Sequence, residues 1–276
     1  MRVAFQGEAG AYSEEAIFGH FGAVETLPCE SFPAVFEAVV SGKCERGLIP
    51  IENSLAGSIH QNYDLLLRHN LHIVGEYFLR VRHCLIALPG VNLADIECVI
   101  SHPQALGQCA GTLETLNVRT EAVYDTAGSV KMLKANAWYT TAAIASRRAA
   151  ELYGMHILRE GIEDNRENYT RFLEIAQQPA EADENAKTSI VFTLRNQPGA
   201  LFKALSVFAL REIDLTKIES RPLAGRPWEY LFYVDFLGDA RQFPGSRALE
   251  HLGEYATMLR VLGSYRCSSF GAPPAA

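Results

Sequence analysis

Along roughly the first 176 residues, short apolar runs alternate with longer stretches whose apolar positions recur three or four apart. The short runs predict strands at Val3 to Gln6, Val24 to Leu27, Arg46 to Ile51, His72 to Ala87, Cys98 to Ser101 and Glu121 to Tyr124. The longer stretches predict helices at Ser13 to Phe21, Ser31 to Ser41, Ile59 to Arg68, Pro103 to Leu116, Gly128 to Ala135 and Ser146 to Tyr153. Strands and helices in alternation predict an α/β architecture. His72 to Ala87 is too long for one ordinary strand. A strand that leaves one sheet and crosses into a second explains that length. The region then has two lobes with a cleft between them, a common place for a ligand.

The pattern changes at Gln177 to Lys187, which is polar, acidic and without apolar periodicity, and reads as a linker. Beyond it come a β-branched strand at Thr188 to Leu194, a break at Pro198-Gly199, and a helix at Ala200 to Arg211 with Leu201, Leu205, Phe208 and Ala209 on its apolar positions. Strands follow at Leu215 to Arg221 and Tyr230 to Leu237, with Gly225 and Pro227 in the turn between them. A helix at Ser246 to Tyr255 and a strand at Leu259 to Tyr265 close the set. The order β-α-β-β-α-β is that of a ferredoxin-like split unit. Such a unit leaves a sheet face and two edges open, so it tends to pair with a copy of itself as a homodimer or homotetramer. The expected domains are 1–178 and 188–266.

Composition narrows the function classes. With 276 residues, 48% hydrophobic and 21% charged, the chain has the proportions of a soluble globular protein. No apolar run approaches a membrane span. The chain opens at once on the strand-like Val3-Ala4-Phe5, so no signal or transit segment is expected. A net charge of −7 argues against nucleic acid as the main partner. An anionic ligand would have to be met locally by Arg, Lys or backbone N–H groups. None of the six cysteines forms a C-x-x-C pair, and no histidine stands near them at zinc spacing. They read as free thiols of a reducing, cytoplasmic setting, with no metal and no cofactor implied.

Candidate chemistry gathers where strands end and helices begin. The clearest case is Leu48 to Ser58, an apolar strand running into Glu52, Asn53 and Ser54 and then Gly57. Buried neighbours of this kind need partners, and a ligand would supply them. A strand followed by a polar turn, with Ser58 capping the next helix, gives the same pattern. Gln6 to Ser13 repeats the arrangement, with glycines that permit close backbone approach and Ser13 as a possible cap. Ser101-His102-Pro103-Gln104 repeats it again, Pro103 suiting the first helical position and Gln104 pointing from the first turn. His102 fits a cap, a core residue or an acid–base group. Asp125 to Ser129 is the fourth copy. In open α/β sheets ligands sit beyond the carboxyl ends of strands, so four copies together point to a site. A fifth cluster, Asn168 to Leu173, offers the Thr170 hydroxyl and the two-pronged Arg171 ahead of a strand ending near Ala176. An edge strand with a surface arginine reads the same way.

Together these segments resemble the prephenate dehydratase family, which includes the arogenate dehydratases. The resemblance rests on Ile-Pro-Ile-Glu-Asn-Ser (49–54), Ser-His-Pro-Gln-Ala-Leu (101–106), Asp-Thr-Ala-Gly-Ser (125–129) and Asn-Tyr-Thr-Arg-Phe (168–172). Gly-Ala-Leu (199–201) and Ile-Glu-Ser-Arg-Pro (218–222) resemble an ACT regulatory domain. Val130 departs from the family, which usually has a small residue there. The resemblance implies a two-lobed catalytic domain like type II periplasmic binding proteins, followed by the ferredoxin-like ACT domain. It implies conversion of prephenate to phenylpyruvate with loss of water and carbon dioxide, in phenylalanine biosynthesis. By the same resemblance Thr170, Asn53, Ser54 and Gln104 would be catalytic, with Thr170 nearest the departing hydroxyl. Glu52, Ser101, His102, Thr126, Arg171 and Phe172 would bind substrate, Arg171 either on a carboxylate or behind Thr170. Phenylalanine would act as feedback effector at Asn196, Gly199, Ala200, Leu201, Glu219 and Ser220. The rival readings are an arogenate dehydratase forming phenylalanine directly and a non-catalytic sensor of a small anion.

Overall fold

Every residue from Gly47 to Ile51 of β3 (Arg46–Asn53) is buried, as an unbroken Leu-Ile-Pro-Ile run in a central strand dictates. In this computed structural model, which describes residues 1–181, 185–223, 225 and 228–268, β3 lies between β1 (Arg2–Gln6) and β11 (Tyr169–Ala176). β2 (Glu25–Cys29) flanks β1, β5 (His72–Arg80) flanks β11, and β4 (Gly57–Ser58) folds back on β3. β1 runs parallel to both its neighbours. A second sheet has the order β10 (His156–Glu160), β6 (Cys84–Ala87), β9 (Thr141–Ala145), β7 (Cys98–Ser101), β8 (Arg119–Ala122). Helices α1 (Tyr12–Phe21), α2 (Phe32–Val40), α3 (His60–Arg68), α4 (Pro103–Gln108), α5 (Ala110–Leu116), α6 (Thr126–Asn136) and α7 (Arg147–Tyr153) alternate with these strands.

The long His72 to Ala87 run is the crossing segment that its length required. β5 lies in the first sheet, β6 in the second, and Val81 to His83 join them. The chain returns from β10 to β11 through residues 161–168. Several expected boundaries shift. Pro103 to Leu116 is two helices, with a break at the wholly buried Cys109 between Gly107 and Gly111. Ser13 is not the cap of α1: Ala11 occupies that position and Ser13 is buried in the first turn. Ser58 lies in β4 and not at a helix cap. Gly10 has φ +90, and a Cβ there would meet the Ala149 backbone at 2.9 Å. Its close approach is to α7, not to a ligand. β9 and β10 were absent from the expected strands. Thr-Ala-Ala-Ile-Ala lacks the β-branched density of a strand signal, and His-Ile-Leu-Arg-Glu is a charged edge.

The chain forms two compact units. Of the described residues, the first comprises Met1–Leu65 with Tyr77–Phe172, and the second Leu66–Glu76 with those from Leu173 to Ser268. β5 and β11 each therefore contribute residues to both.

The second unit contains β12 (Ala186–Leu194), α8 (Ala200–Ala209), β13 (Leu215–Pro222), β14 (Tyr230–Leu237), α9 (Gly245–Tyr255) and β15 (Ala256–Arg266). Its antiparallel sheet has the order β13–β14–β12–β15, the ferredoxin-like arrangement. All nine residues of β12 are buried. Phe208 of α8 packs on Phe236 at 5.3 Å between ring centres, and Phe192 stacks on Phe232 at 5.4 Å. Burying each such ring contributes about 1.5–3 kcal/mol. Lys187 and Glu76 form a buried ion pair at 2.6 Å. Arg260 of β15 donates to the carbonyls of Leu67 at 3.0 Å and His69 at 2.8 Å. Residues 182–184 of the expected linker and Pro227 of the expected turn lie outside the described residues.

Candidate active site

Inside the first unit, the ends of both sheets and the starts of three helices border a cavity of about 190 Å³. β3 brings Pro50 and Asn53 to it, and β11 brings Thr170 and Phe172. Successive strand residues face opposite ways, so Thr170 and Phe172 share the cavity side and Arg171 is turned from it. Arg171 is buried at 7% exposure but does not line the cavity. The crossing segment follows the same rule: Val81 and His83 face the cavity, whereas Arg80, Arg82 and Cys84 line a separate depression.

Asn53 is the organising residue. Its Oδ1 accepts from the backbone N–H groups of Leu55 at 3.1 Å and Ala56 at 2.9 Å. Its Nδ2 donates to Asn168 Oδ1 at 2.8 Å and to Thr170 Oγ1 at 3.0 Å. Asn53, Asn168 and Thr170 are all under 10% exposed, so each bond forms away from solvent. Asn53 Nδ2 also reaches Tyr169 O at 3.1 Å, so its two hydrogens serve three acceptors. Because Nδ2 can only donate, Thr170 Oγ1 meets it as an acceptor, and the threonine hydroxyl proton is left to turn to the cavity that Thr170 lines.

Ser54, one residue on, is spent elsewhere. Its Oγ donates to Glu167 O at 2.7 Å and accepts from Tyr169 N at 2.9 Å. It stitches the end of β3 to the start of β11 and does not line the cavity. Glu52 is likewise outside it and pairs with Ser58 in the strand register. Ser101 is wholly buried, and its hydroxyl donates to Ile144 O at 2.6 Å in the neighbouring strand. That bond anchors β7 to β9 and takes Ser101 away from the cavity. His102, Gln104 and Thr126 do line it. His102 Nδ1 caps α4 by accepting from Gln104 N at 3.2 Å, which leaves its other ring nitrogen to face a ligand.

Sequence reasoning did not single out four further residues as site groups. Tyr12, His83 and Gln108 line the cavity, and Asn168 stands behind it. Asn168 Nδ2 donates to Gln108 Oε1 at 3.1 Å, which also lies 2.8 Å from His83 Nε2. His83 Nδ1 is 2.7 Å from Tyr12 Oη. Gln108 carried a usable signal, since it follows Gln104 by one helical turn on the same face. His83 carried only the oddity of a polar residue before the apolar Cys84 to Ala87.

The electrostatics favour an anion without a formal cation in the lining. No side chain caps α1 among the described residues, so its first N–H groups, beside Tyr12 and Ser13, are open to a ligand. α6 is capped by Asp125, which accepts from Gly128 N at 2.7 Å, and Thr126 stands at its start. Burial lowers the His83 imidazole from its usual value, against the opposing pull of the Gln108 bond and Glu163. Burial, and then Glu15, hold the Tyr12 phenol well above its usual range. Among the described residues no group of His, Cys, Asp and Glu is placed to hold a metal.

A second cavity, of about 130 Å³, lies in the second unit. Asn196, Ala200 and Leu201 line it together with Arg195, Trp228, Glu229 and Tyr230. Gly199 adjoins it as the left-handed N-cap of α8, with φ 76. Glu219 and Ser220 lie on β13 and do not line it, Glu219 being 3.9 Å from Lys217.

Comparison with known proteins gives a consistent picture. A family model described as prephenate dehydratase matches residues 3–180. Arogenate dehydratase/prephenate dehydratase 2, chloroplastic, of Arabidopsis thaliana is 53% identical over 276 residues, covering 96% of this chain and 72% of that protein. A solved structure described as GqqA, a novel type of quorum quenching acylases, superposes with a TM-score of 0.92 at 37% identity, over 97% of this chain and 98% of that one. The prephenate dehydratase of Arthrobacter aurescens in complex with L-Phe superposes with a TM-score of 0.88 at 31% identity, over 97% and 90% of the two chains.

Proposed function

Because the chain belongs to the prephenate dehydratase family, we propose that its first-unit cavity removes water and carbon dioxide from prephenate to give phenylpyruvate. The observation that carries this reading is Thr170 Oγ1, which lines the cavity and meets Asn53 Nδ2 at 3.0 Å as an acceptor, so that its own proton can serve a ligand there. When the ring carboxylate leaves as carbon dioxide, its bonding electrons enter the ring and the hydroxyl opposite departs with the electrons of its C–O bond, taking a proton from solvent to become water. Aromatisation drives the step, so little covalent chemistry is asked of the protein. The departing oxygen gathers charge, and a hydrogen bond aimed at it is stronger in the transition state than before. The open N–H groups of α1, with Gln104, His102 and Thr126, hold the carboxylates.

Arogenate differs by an ammonium in place of the keto group. Among the described residues, no aspartate or glutamate lines the cavity to receive an ammonium. This favours prephenate. The Arabidopsis relative carries both activities in its name, so arogenate is the second reading.

The second unit is read as an ACT domain that binds phenylalanine, with 1–178 as the catalytic domain and 188–266 as the regulatory one. Its cavity pairs Arg195 and Glu229, suited to a carboxylate and an ammonium, with the rings of Trp228 and Tyr230. Leu201, Trp228 and Tyr230 are more than a third exposed, and a second copy packed there would close the cavity in a homodimer or homotetramer. No described helix is long and apolar enough to cross a membrane, and the free cysteines suit a reducing, cytoplasmic setting.

Purified protein mixed with prephenate, then with arogenate, and followed by product absorbance tests the reading. Prephenate is expected to turn over faster, and saturating phenylalanine to change the rate. Binding of either substrate without turnover would leave a sensor in place of an enzyme.

A further inference from the structure

The hydrogen bonds that end on Thr170 have a direction, and it can be read from their fixed end. The N–H groups of Leu55 and Ala56 that point at Asn53 Oδ1 belong to the backbone and cannot be turned round. Asn53 must therefore present its nitrogen to Asn168 Oδ1 and Thr170 Oγ1. With its oxygen spent, Asn168 can offer Gln108 only Nδ2, and Gln108 Oε1 receives it. An oxygen facing His83 Nε2 at 2.8 Å requires a hydrogen on that ring nitrogen. A neutral imidazole carries one proton, so Nδ1 is a bare acceptor, and Tyr12 Oη donates to it across 2.7 Å in preference to Arg82 O at 3.2 Å. Two backbone amides thus dictate the tautomer of a histidine through three side-chain amides.

We propose that His83 is a positioning residue for the dehydration: as the Nε2–H tautomer it holds Gln108 in place, Gln108 Oε1 holds Asn168, and Asn168 steadies the Asn53 side chain that meets Thr170. This rests on the dehydratase reading above. The arrangement spans both connections between the two sheets. His83 stands on the outward crossing and Asn168 on the return. Glu163, also on the return, accepts the His83 backbone N–H at 2.9 Å and fixes the residue's place. Without the His83 donor, Gln108 Oε1 loses one of its two partners. Gln108 is then held by Asn168 alone, and the Asn168 and Asn53 side chains beside Thr170 lose part of their support, while the Leu55 and Ala56 N–H groups still set the direction of Asn53.

The test pairs nitrogen NMR of the ring with two substitutions. His83→Leu fills the space without a donor, whereas His83→Gln offers an amide N–H near the Nε2 position. The expected spectrum of the native protein at neutral pH is the Nε2–H tautomer. His83→Leu is expected to lose about tenfold in kcat with KM within about twofold, and His83→Gln to recover most of that loss. An Nδ1–H tautomer or an imidazolium at neutral pH would overturn the proposal. So would a Leu variant with native kcat, or a Gln variant as slow as the Leu variant, which would mean that the ring moves a proton itself. The tautomer is read without substrate. Absence of turnover on both substrates would sink the dehydratase reading, while the spectrum still judges the hydrogen-bond direction.

Discussion

In the second unit, buried polar side chains find partners on neighbouring strands of their own sheet, although Lys187 reaches outside it to Glu76 of β5. Ser189 of β12 reaches Asp235 on β14 at 2.6 Å and Tyr265 on β15 at 2.7 Å. In the first unit they find partners on other elements and at long range in the chain. Asn53 bonds to Thr170, 117 residues on, and Asn168 to Gln108, 60 residues back. The first arrangement secures a sheet. The second gathers a set of groups from both sheets around an opening, and its members are held by one another as much as by the backbone. Losing a polar partner in the second unit should therefore cost folding energy, whereas losing one at the cavity should cost rate.

Substitutions at both places test that contrast. Lys187→Met strands the Glu76 carboxylate in a buried setting. It is expected to destabilise the protein by about 3–5 kcal/mol in denaturant titration, with turnover per folded molecule unchanged. Thr170→Ala should do the reverse: kcat falls about 10²–10³-fold while circular dichroism and the unfolding midpoint stay close to native. If Thr170→Ala keeps its rate within tenfold, the contrast fails at its catalytic end. Ser54→Ala sits between the two, because its oxygen joins β3 to β11 without touching the cavity. A loss of about 1 kcal/mol in stability is expected, with a several-fold fall in kcat as Asn53 and Thr170 loosen.

The smallest effect concerns acid. Burial depresses the His83 pKa below its ordinary value near 6.5. The unfolded chain then takes up a proton that the folded chain refuses. The resulting stability is present above about pH 6.5 and lost as pH falls toward the folded value. The unfolding free energy of His83→Gln should fall less steeply with acid than that of the native protein. Parallel curves would show that His83 is not held neutral.

The same contrast in range explains what could be read from the sequence. All six elements of the second unit lie within a few residues of their expected places, because hairpins and a helix packed on its own sheet are local. In the first unit β9 and β10 went unseen, since an alanine-rich central strand and a charged edge strand carry little alternation. At the cavity, Asn53, His102, Gln104, Thr126, Thr170 and Phe172 are brought together. Arg171 sits between two lining residues, where the period of two turns its side chain to the other face, and Glu52 pairs with Ser58 where β4 folds back. Ser54 and Ser101 are committed to backbone carbonyls. Tyr12 and His83 belong to the site through partners tens of residues away in the chain, a relation that no window of sequence contains, whereas Gln108 could have been read from its place one turn after Gln104.

The placement of Leu66–Glu76 within the second unit has a practical consequence for anyone dissecting the protein. A scissors cut in the acidic stretch after Ala176 would not follow the seam of the molecule. It would strip Glu76 of its lysine and free the carbonyls of Leu67 and His69 from Arg260. The amino-terminal fragment would carry an orphaned span in its middle, and a failure of that fragment to fold would say nothing about whether the cavity of the first unit works without the second.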